Sequence, residues 1–295
     1  MMSEFNKKLK KAYENPENYR LIERLPEYHD LPHVFCEAKG QTKDLVVLDT
    51  ETTGFDFNKD EVIQLAMIHI TVDVDFGRVV SVNKTLNQLN EPLLAEVTEN
   101  ITDLTGITKE SLIGKEFDKP AIIDFMGDDY DNTYVVAHNA KFDYKFCMKQ
   151  LDFLDKFQWG CTQHDIRWGA DMNIPSTKLE FINFCNGYFY DGHNALTDCY
   201  AVISALMNNN GSIDSLMNSF AEEKYILSAI GAPFNIKDQL KENGFRWNAD
   251  NKVWYRSDLI REQVEDVLKL TIELYDPEMK AVKVVKQKGN RRFEA

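Results

Sequence analysis

Four carboxylates and one histidine stand in three short segments whose residue types suit one metal site. They are Asp49 and Glu51 in LVVLDTETTG, Asp143 in VVAHNAKFDYKF, and His193 with Asp198 in DGHNALTDCYAV. Each acid lies beside an apolar run, where an unpaired charge is costly and needs a cation or strong donors to hold it. Divalent ions held among all four would answer that cost.

The elements around these residues must bring them together. Leu45, Val46, Val47 and Leu48 form a β-branched-rich run that reads as a strand ending at Asp49, with Gly54 turning the chain soon after. Side chains alternate along a strand, so Asp49 and Glu51 project from the same face. A second strand runs from Tyr134 to Ala137, followed by a turn at His138 and Asn139 and a helical run from Lys141 to Leu151, with Asp143 in its first turn. In the third segment Ala195, Leu196, Cys199, Val202, Ile203 and Leu206 give a helical apolar face that contains Asp198, and His193 stands just before it. Each feature taken alone has an ordinary reading: a solvated strand end, an acid favoured by a helix dipole, a capping or surface histidine.

Together the segments resemble the motifs of the DEDDh family of 3′-to-5′ exonucleases, which includes proofreading polymerase subunits, ribonuclease T and oligoribonuclease. D-x-E-T-T-G, A-H-N-A-x-F-D and H-x-A-L-x-D occur in family order, Leu104-Thr105-Gly106-Ile107-Thr108 looks like the family's intervening loop, and the likeness covers roughly residues 44 to 208. A stand-alone bacterial subgroup with a C-terminal F-R-W…W-Y module would extend it over nearly the whole chain. The resemblance implies two Mg²⁺ or Mn²⁺ ions, about 4 Å apart, that neutralise the phosphoryl oxygens and the leaving 3′-oxygen. It gives Asp49, Glu51 and Asp198 to the first metal. Asp49 would also reach the second, which Asp143 holds through water. His193 would take the proton of the attacking water, a task suited to a side chain that titrates near neutral pH. The implied product is a nucleoside monophosphate. Thr52, Thr53, Gly54 and Phe55, with His138, Asn139 and Phe142, are expected to seat the 3′ end, and Ile107 to wedge against the terminal base. The ordinary reading of Phe55, Ile107 and Phe142 is core packing. Two positions depart from the family pattern: Gln64 stands where many relatives carry an acid, and Cys161 where many have an Asp.

The strands expected at 44–49, 61–72, 75–86, 133–137 and 157–161 alternate in their later part with helices. Periodicity gives an α/β class, and the resemblance names it ribonuclease H-like, with a five-stranded mixed sheet flanked by helices. The domain reading is an N-terminal extension over 1–43, the exonuclease domain over 44–208, a linker and connecting helix over 209–224, a small α+β accessory module over 225–278 and a basic tail over 279–295. In the module we expect a strand near 225–230, a helix over 236–243, a hairpin around Asn248 to Asn251 and a helix over 257–274. Arg246, Trp247, Lys252, Trp254 and Arg256 are its candidate nucleic-acid contacts, with core packing the ordinary reading of the aromatics.

At 295 residues with 43% hydrophobic content, the chain exceeds one typical domain and can bury a sizeable core. No apolar stretch approaches membrane-spanning length and the N-terminus lacks a signal-peptide core, so a cytoplasmic location with no membrane partner is expected. Five cysteines without C-x-x-C pairs fit reduced thiols. The net charge of −14 is uneven: residues 1–234 hold 21 Lys and Arg against 37 Asp and Glu, whereas residues 235–295 hold 13 against 11. An acidic enzyme that grips only a few nucleotides at a metal site is expected, without high processivity on long duplex. The tail's Lys280, Lys283, Lys286, Lys288, Arg291 and Arg292 against Glu294 read as a solvated terminal charge run. The expected substrate is single-stranded or frayed DNA at its 3′ end. An exoribonuclease of the oligoribonuclease or ribonuclease T kind is the alternative, and a non-catalytic nucleic-acid-binding subunit with a vestigial site is a third reading, which the filled catalytic positions oppose.

Overall fold

The computed structural model describes residues 4–29, 32–249, 251–275, 282–287 and 289–293. Its strands, in chain order, are β1 (Glu23–Arg24), β2 (His33–Val34), β3 (Thr42–Thr52), β4 (Val62–Asp73), β5 (Arg78–Leu89), β6 (Thr133–Ala137), β7 (Gln158–Cys161), β8 (Tyr188–Phe189), β9 (Lys224–Ala229), β10 (Arg246–Asn248), β11 (Val253–Leu259) and β12 (Val282–Gln287). The large sheet has the order β2-β5-β4-β3-β6-β7, antiparallel from β5 to β3 and parallel from β3 to β7. Six strands stand where five were expected. The sixth, β2, comes from the N-terminal extension and pairs His33 with Val82 and Val34 with Ser81. A two-residue strand has no periodicity to read.

Strand β3 is central because Leu45, Val46, Val47 and Leu48 are all fully buried, the pattern of a strand covered on both faces. Each such side chain contributes roughly 1.5–3 kcal/mol on burial, so the strand has little freedom to slip. Leu45 and Val47 pack with Cys199, Val202 and Ile203 of the helix Ala195–Asn208, whereas Val46 and Leu48 pack on the other face with Ile122, Ala140 and Phe146. Parity along β3 therefore turns Asp49 and Glu51 toward the helix that carries Asp198, and Thr50 toward the helix Ala140–Cys147 that carries Asp143. The β3–β4 register shifts between Glu51 and Thr52, an irregularity at the point where the acids emerge.

The segments outside 44–208 are more integrated than their composition suggested. Leu25 is buried in the main core, and β1 pairs in parallel with β8. The helix Ser212–Ala221, expected as a connector, buries Ile213 and Leu216 completely in the same core. A Cβ on Gly160 would lie 2.6 Å from Phe220, so β7 takes glycine there because this helix packs directly on it.

The C-terminal module is a sheet of order β10-β11-β9-β12 with the helices Lys237–Glu242 and Arg261–Leu274. Strand β11 occupies residues 257–259, which were expected to open the last helix. The expected basic tail instead supplies β12, which pairs antiparallel with β9 from Val282↔Ala229 to Gln287↔Lys224. A short helical turn, Gly289–Phe293, then docks on the part built on the large sheet. Asn290 Oδ1 accepts from Trp159 N at 2.9 Å, its amide donates to Phe157 O at 2.7 Å, and Phe293 is buried beside Tyr144. The tail thereby covers the outer edge of β7, which would otherwise present unpaired backbone groups. Lys280, Lys288 and Glu294 lie outside the described residues.

Candidate active site

Strand β6 pairs with β3 only as far as Val47↔Val136, so beyond that point the β3 acids face an open cleft. Asp49, Glu51 and Asp198 each offer a carboxylate oxygen within 4.8 Å of the others. Asp143 and His193 line the same cavity of about 480 Å³, together with Thr50, Thr52, Gly54, Phe55, His138 and Phe142. Asp143 is held from the other side of β3: its Oδ1 accepts from Thr50 Oγ1 at 2.8 Å and from Thr50 N at 3.1 Å. Asp198 Oδ2 accepts from the backbone N–H of His193 at 2.8 Å and of Asn194 at 3.2 Å. Asn194 caps that helix through Thr197 N. His193 adopts φ +66°, a conformation costly for a residue with a Cβ, and its amide bond to Asp198 holds it there. Its ring is exposed to the cavity.

Crowding gives these acids unusual titration. Burial, then the charges of Asp143, Asp198 and Glu51, pushes the Asp49 carboxyl well above the ordinary range. Burial and the neighbouring acids raise Glu51 to about 8, and burial raises Asp143 to about 7 and Asp198 to about 6. Four carboxylates that resist joint ionisation and share one cavity fit a divalent cation, which supplies the missing positive charge. A pH prediction follows with a definite sign. Acids whose folded pKa is raised stabilise the fold fully below their unfolded value near 4, and that stability is lost as pH rises through about 6 to 8. In EDTA the melting temperature should therefore fall between about pH 5 and 8 by an amount reflecting a few kcal/mol, and Mg²⁺ or Mn²⁺ should restore it most at the upper end. A flat profile in EDTA would contradict the crowding.

Several expected contacts are placed differently. Ile107 is buried with Ile63 and Leu112 and does not line the cavity. The helix Glu99–Thr105 presents Ile101, Leu104 and Thr105 to it instead, with Leu104 43% exposed. Thr98 caps that helix at its start and Gly106, at φ +72°, ends it, a signal readable as T-x-x-x-x-x-x-x-G. Thr53 is turned away: its Oγ1 donates to Asp60 Oδ1 at 3.0 Å and accepts from Glu61 N. A Cβ on Gly54 would lie 2.5 Å from the Asp60 carboxylate, which would have to shift and loosen its bond to Thr53. His138 has both ring nitrogens engaged, Nε2 donating to Thr177 O at 2.8 Å and Nδ1 accepting from Thr162 Oγ1 at 2.9 Å, so it ties two loops together. Burial pushes its pKa down to about 4, which keeps it neutral. Phe55 is 84% exposed and its ring centroid lies 6.2 Å from that of Phe142, so both rings are available to a ligand.

The two departures from the family pattern now have physical content. Gln64, 3% exposed and paired across the sheet with Glu51, accepts from Ala195 N at 3.2 Å and donates to Asn87 at 3.0 Å. It pins the first turn of the Asp198 helix without adding a further negative charge to the cluster. Cys161 is buried, and burial raises its thiol to about 11, so it contributes no charge. Sequence motifs gave no sign of Lys178, Glu180 or Tyr190. Lys178 and Glu180 line the cavity from the start of the helix Leu179–Cys185. Burial, then the charges of Asp198 and Glu180, pushes the pKa of the buried Tyr190 hydroxyl up.

A family model described as exonuclease matches residues 46–206, more than half of the chain. The chain belongs to the exonuclease family. Among the relatives of this exonuclease-family chain, a PolC-type DNA polymerase III of Thermotoga petrophila is 37% identical over 110 residues, covering 37% of this chain and 7% of the polymerase. Exodeoxyribonuclease 10 of Escherichia coli K12 is 27% identical over 198 residues, covering 61% of this chain and 81% of that protein. A solved structure of exonuclease X in complex with 5′ overhanging duplex DNA aligns at 22% identity with a TM-score of 0.41, over 59% of this chain and 92% of that one. This exonuclease-family chain thus spans a small fraction of the length of the polymerases it matches.

Proposed function

We propose that the protein is a divalent-metal-dependent 3′-to-5′ exonuclease acting on single-stranded or frayed DNA. The observation that carries the reading is the convergence of Asp49, Glu51 and Asp198 within 4.8 Å, in a cavity also lined by Asp143 and His193. Family membership supports hydrolysis of phosphodiesters, and the name of the E. coli relative supports DNA. Asp49, Glu51 and Asp198 would hold one ion, with Asp49 and Asp143 beside a second. When bound, the ions neutralise the phosphoryl oxygens and the departing 3′-oxygen. In this reading Leu104, Phe55 and Phe142 offer apolar surface to the terminal nucleoside. His193 accepts a proton as water attacks phosphorus, the P–O3′ bond breaks with the departing 3′-oxygen taking a proton from solvent, and a nucleoside 5′-monophosphate leaves the shortened strand. The exposure of the His193 ring and the pinning of its backbone to Asp198 suit that role.

The test is a matched pair of 5′-labelled DNA and RNA oligonucleotides incubated with Mg²⁺, Mn²⁺ or EDTA. A ladder shortening from the 3′ end, faster on DNA and absent in EDTA, is expected. His193→Ala should slow the ladder by about 10²–10⁴-fold while metal still raises the melting temperature. Shortening from the 5′ end, or undiminished turnover in EDTA, would overturn the reading.

A further inference from the structure

A second cavity of about 310 Å³ lies between the exonuclease domain and the C-terminal module. Its walls include Lys141 from the former and Arg246, Tyr255 and Arg256 from the latter, and Asn139 lines both this groove and the acidic cavity. The two depressions therefore meet at one turn, just before the helix that carries Asp143. The groove's charge is opposite to that of the chain. Lys141, Arg246, Arg256 and Arg292 line it against Asp165 among the described residues, and Arg292 takes up the Asp165 charge in a two-pronged ion pair at 2.5 and 2.6 Å. In a protein of net charge −14 such a cluster needs an explanation.

The arrangement within the module suits a polynucleotide strand. Arg246 and Tyr255 are direct partners in the β10–β11 register, so a cation and an aromatic ring share one face. Arg246 is exposed and makes no hydrogen bond or ion pair among the described residues. Arg256 spends one guanidinium nitrogen on Asn243 O at 3.1 Å, leaving donors on a fork suited to phosphate. Trp254, by contrast, is buried in the module's own core, and Lys252 sits at the hairpin turn with φ +50°. Neither lines the groove. Asn290, Arg292 and Phe293 fix the module against the exonuclease domain, so the arginines stand at a set position relative to the acids rather than on a loose tether.

We propose that this groove holds the 5′-ward stretch of the strand whose 3′ end occupies the acidic cavity, with Arg246 and Arg256 on backbone phosphates and Tyr255 beneath a base. The proposal rests on the exonuclease reading for its strand polarity. Ions held by the four acids would reach only the terminal phosphates, and the phosphates upstream would otherwise meet a chain of net charge −14. A second cationic station removes that repulsion and makes the enzyme sensitive to substrate length.

The experiment compares full-chain wild type with Arg246→Ala/Arg256→Ala on 5′-labelled trinucleotide and twenty-nucleotide oligothymidylate. Affinity for the longer strand is measured in parallel by fluorescence anisotropy in EDTA. We expect the double variant to lose roughly tenfold or more in kcat/KM and in affinity on the long strand, and at most about twofold on the trinucleotide. The slope of log affinity against log salt should become shallower by about 1.4, the value for two phosphate contacts on a single strand. Arg246→Lys/Arg256→Lys should recover most of the loss, which a folding defect would not allow. Equal slowing on both lengths, or wild-type rate and affinity on the long strand, overturns the groove proposal. A wild type that binds the long strand through these arginines yet hydrolyses neither oligonucleotide would overturn the exonuclease reading and keep the groove.

Discussion

Asp49→Ala will slow hydrolysis of a labelled oligonucleotide by ~10³-fold or more, because Asp49 is the acid that faces all three of the others and, in the proposed reading, would be the ligand that both ions share. The same substitution should make the metal-free protein more stable above about pH 7, since it removes the carboxylate whose ionisation Asp143, Asp198 and Glu51 all oppose. Mg²⁺ or Mn²⁺ should then no longer raise the melting temperature appreciably. This pairing of lost activity with gained metal-free stability separates ligand loss from misfolding, which would lower both. Asp49→Asn preserves the shape and should behave alike. A variant that cleaves at near the wild-type rate, or that melts lower in EDTA at pH 8, would contradict the assignment of Asp49 as the centre of the cluster.

The site was legible in the sequence to the extent that its residues sit in regular elements. Asp49 and Glu51 follow a four-residue apolar run, and Asp198 lies in an amphipathic helix. Their side of the sheet follows from the periods of two and 3.6 residues, and the structure places them accordingly. Residues on irregular backbone escaped. Lys178 and Glu180 enter the cavity after a stretch with no motif, and the bonds of the two His138 nitrogens to Thr162 and Thr177, 24 and 39 residues away, have no local signature. The apolar wall was displaced by one turn, from Ile107 to Leu104. The Gly106 left-handed cap reverses the chain between them and sends Ile107 into a satellite core.

The ends of the chain were the least legible part, for the reason that makes them interesting. A run of lysines and arginines reads as solvated because charge is usually exposed, yet three valines among these lysines form the edge strand β12, and the last turn buries an arginine. A partner distant in sequence, Asp165, takes up its charge, and no local pattern announces such a partner.

Removing that partner's counter-charge should be costly. Arg292 and Asp165 have side-chain exposures of 7% and 5%, and Arg292 also donates to Trp159 O at 3.0 Å. Arg292→Ala leaves Asp165 buried without its counterion, a loss on the order of 3–5 kcal/mol that would lower the melting temperature by on the order of 10 °C. The damage should spread toward the cleft, because Asp165 Oδ2 also accepts from Cys161 N at 2.8 Å, next to the Thr162 that holds His138. Limited proteolysis should then cut between the exonuclease domain and the C-terminal module in the variant and spare the wild type. Arg292→Met with Asp165→Asn should regain much of the stability, since a neutral pair carries no unpaired charge while the amide oxygen of the asparagine can still receive the Cys161 N–H. If Arg292→Ala alone melts within a degree of wild type, the last turn is not docked on β7 in solution, and the fixed placement of Arg246 and Arg256 beside the acidic cavity loses its support.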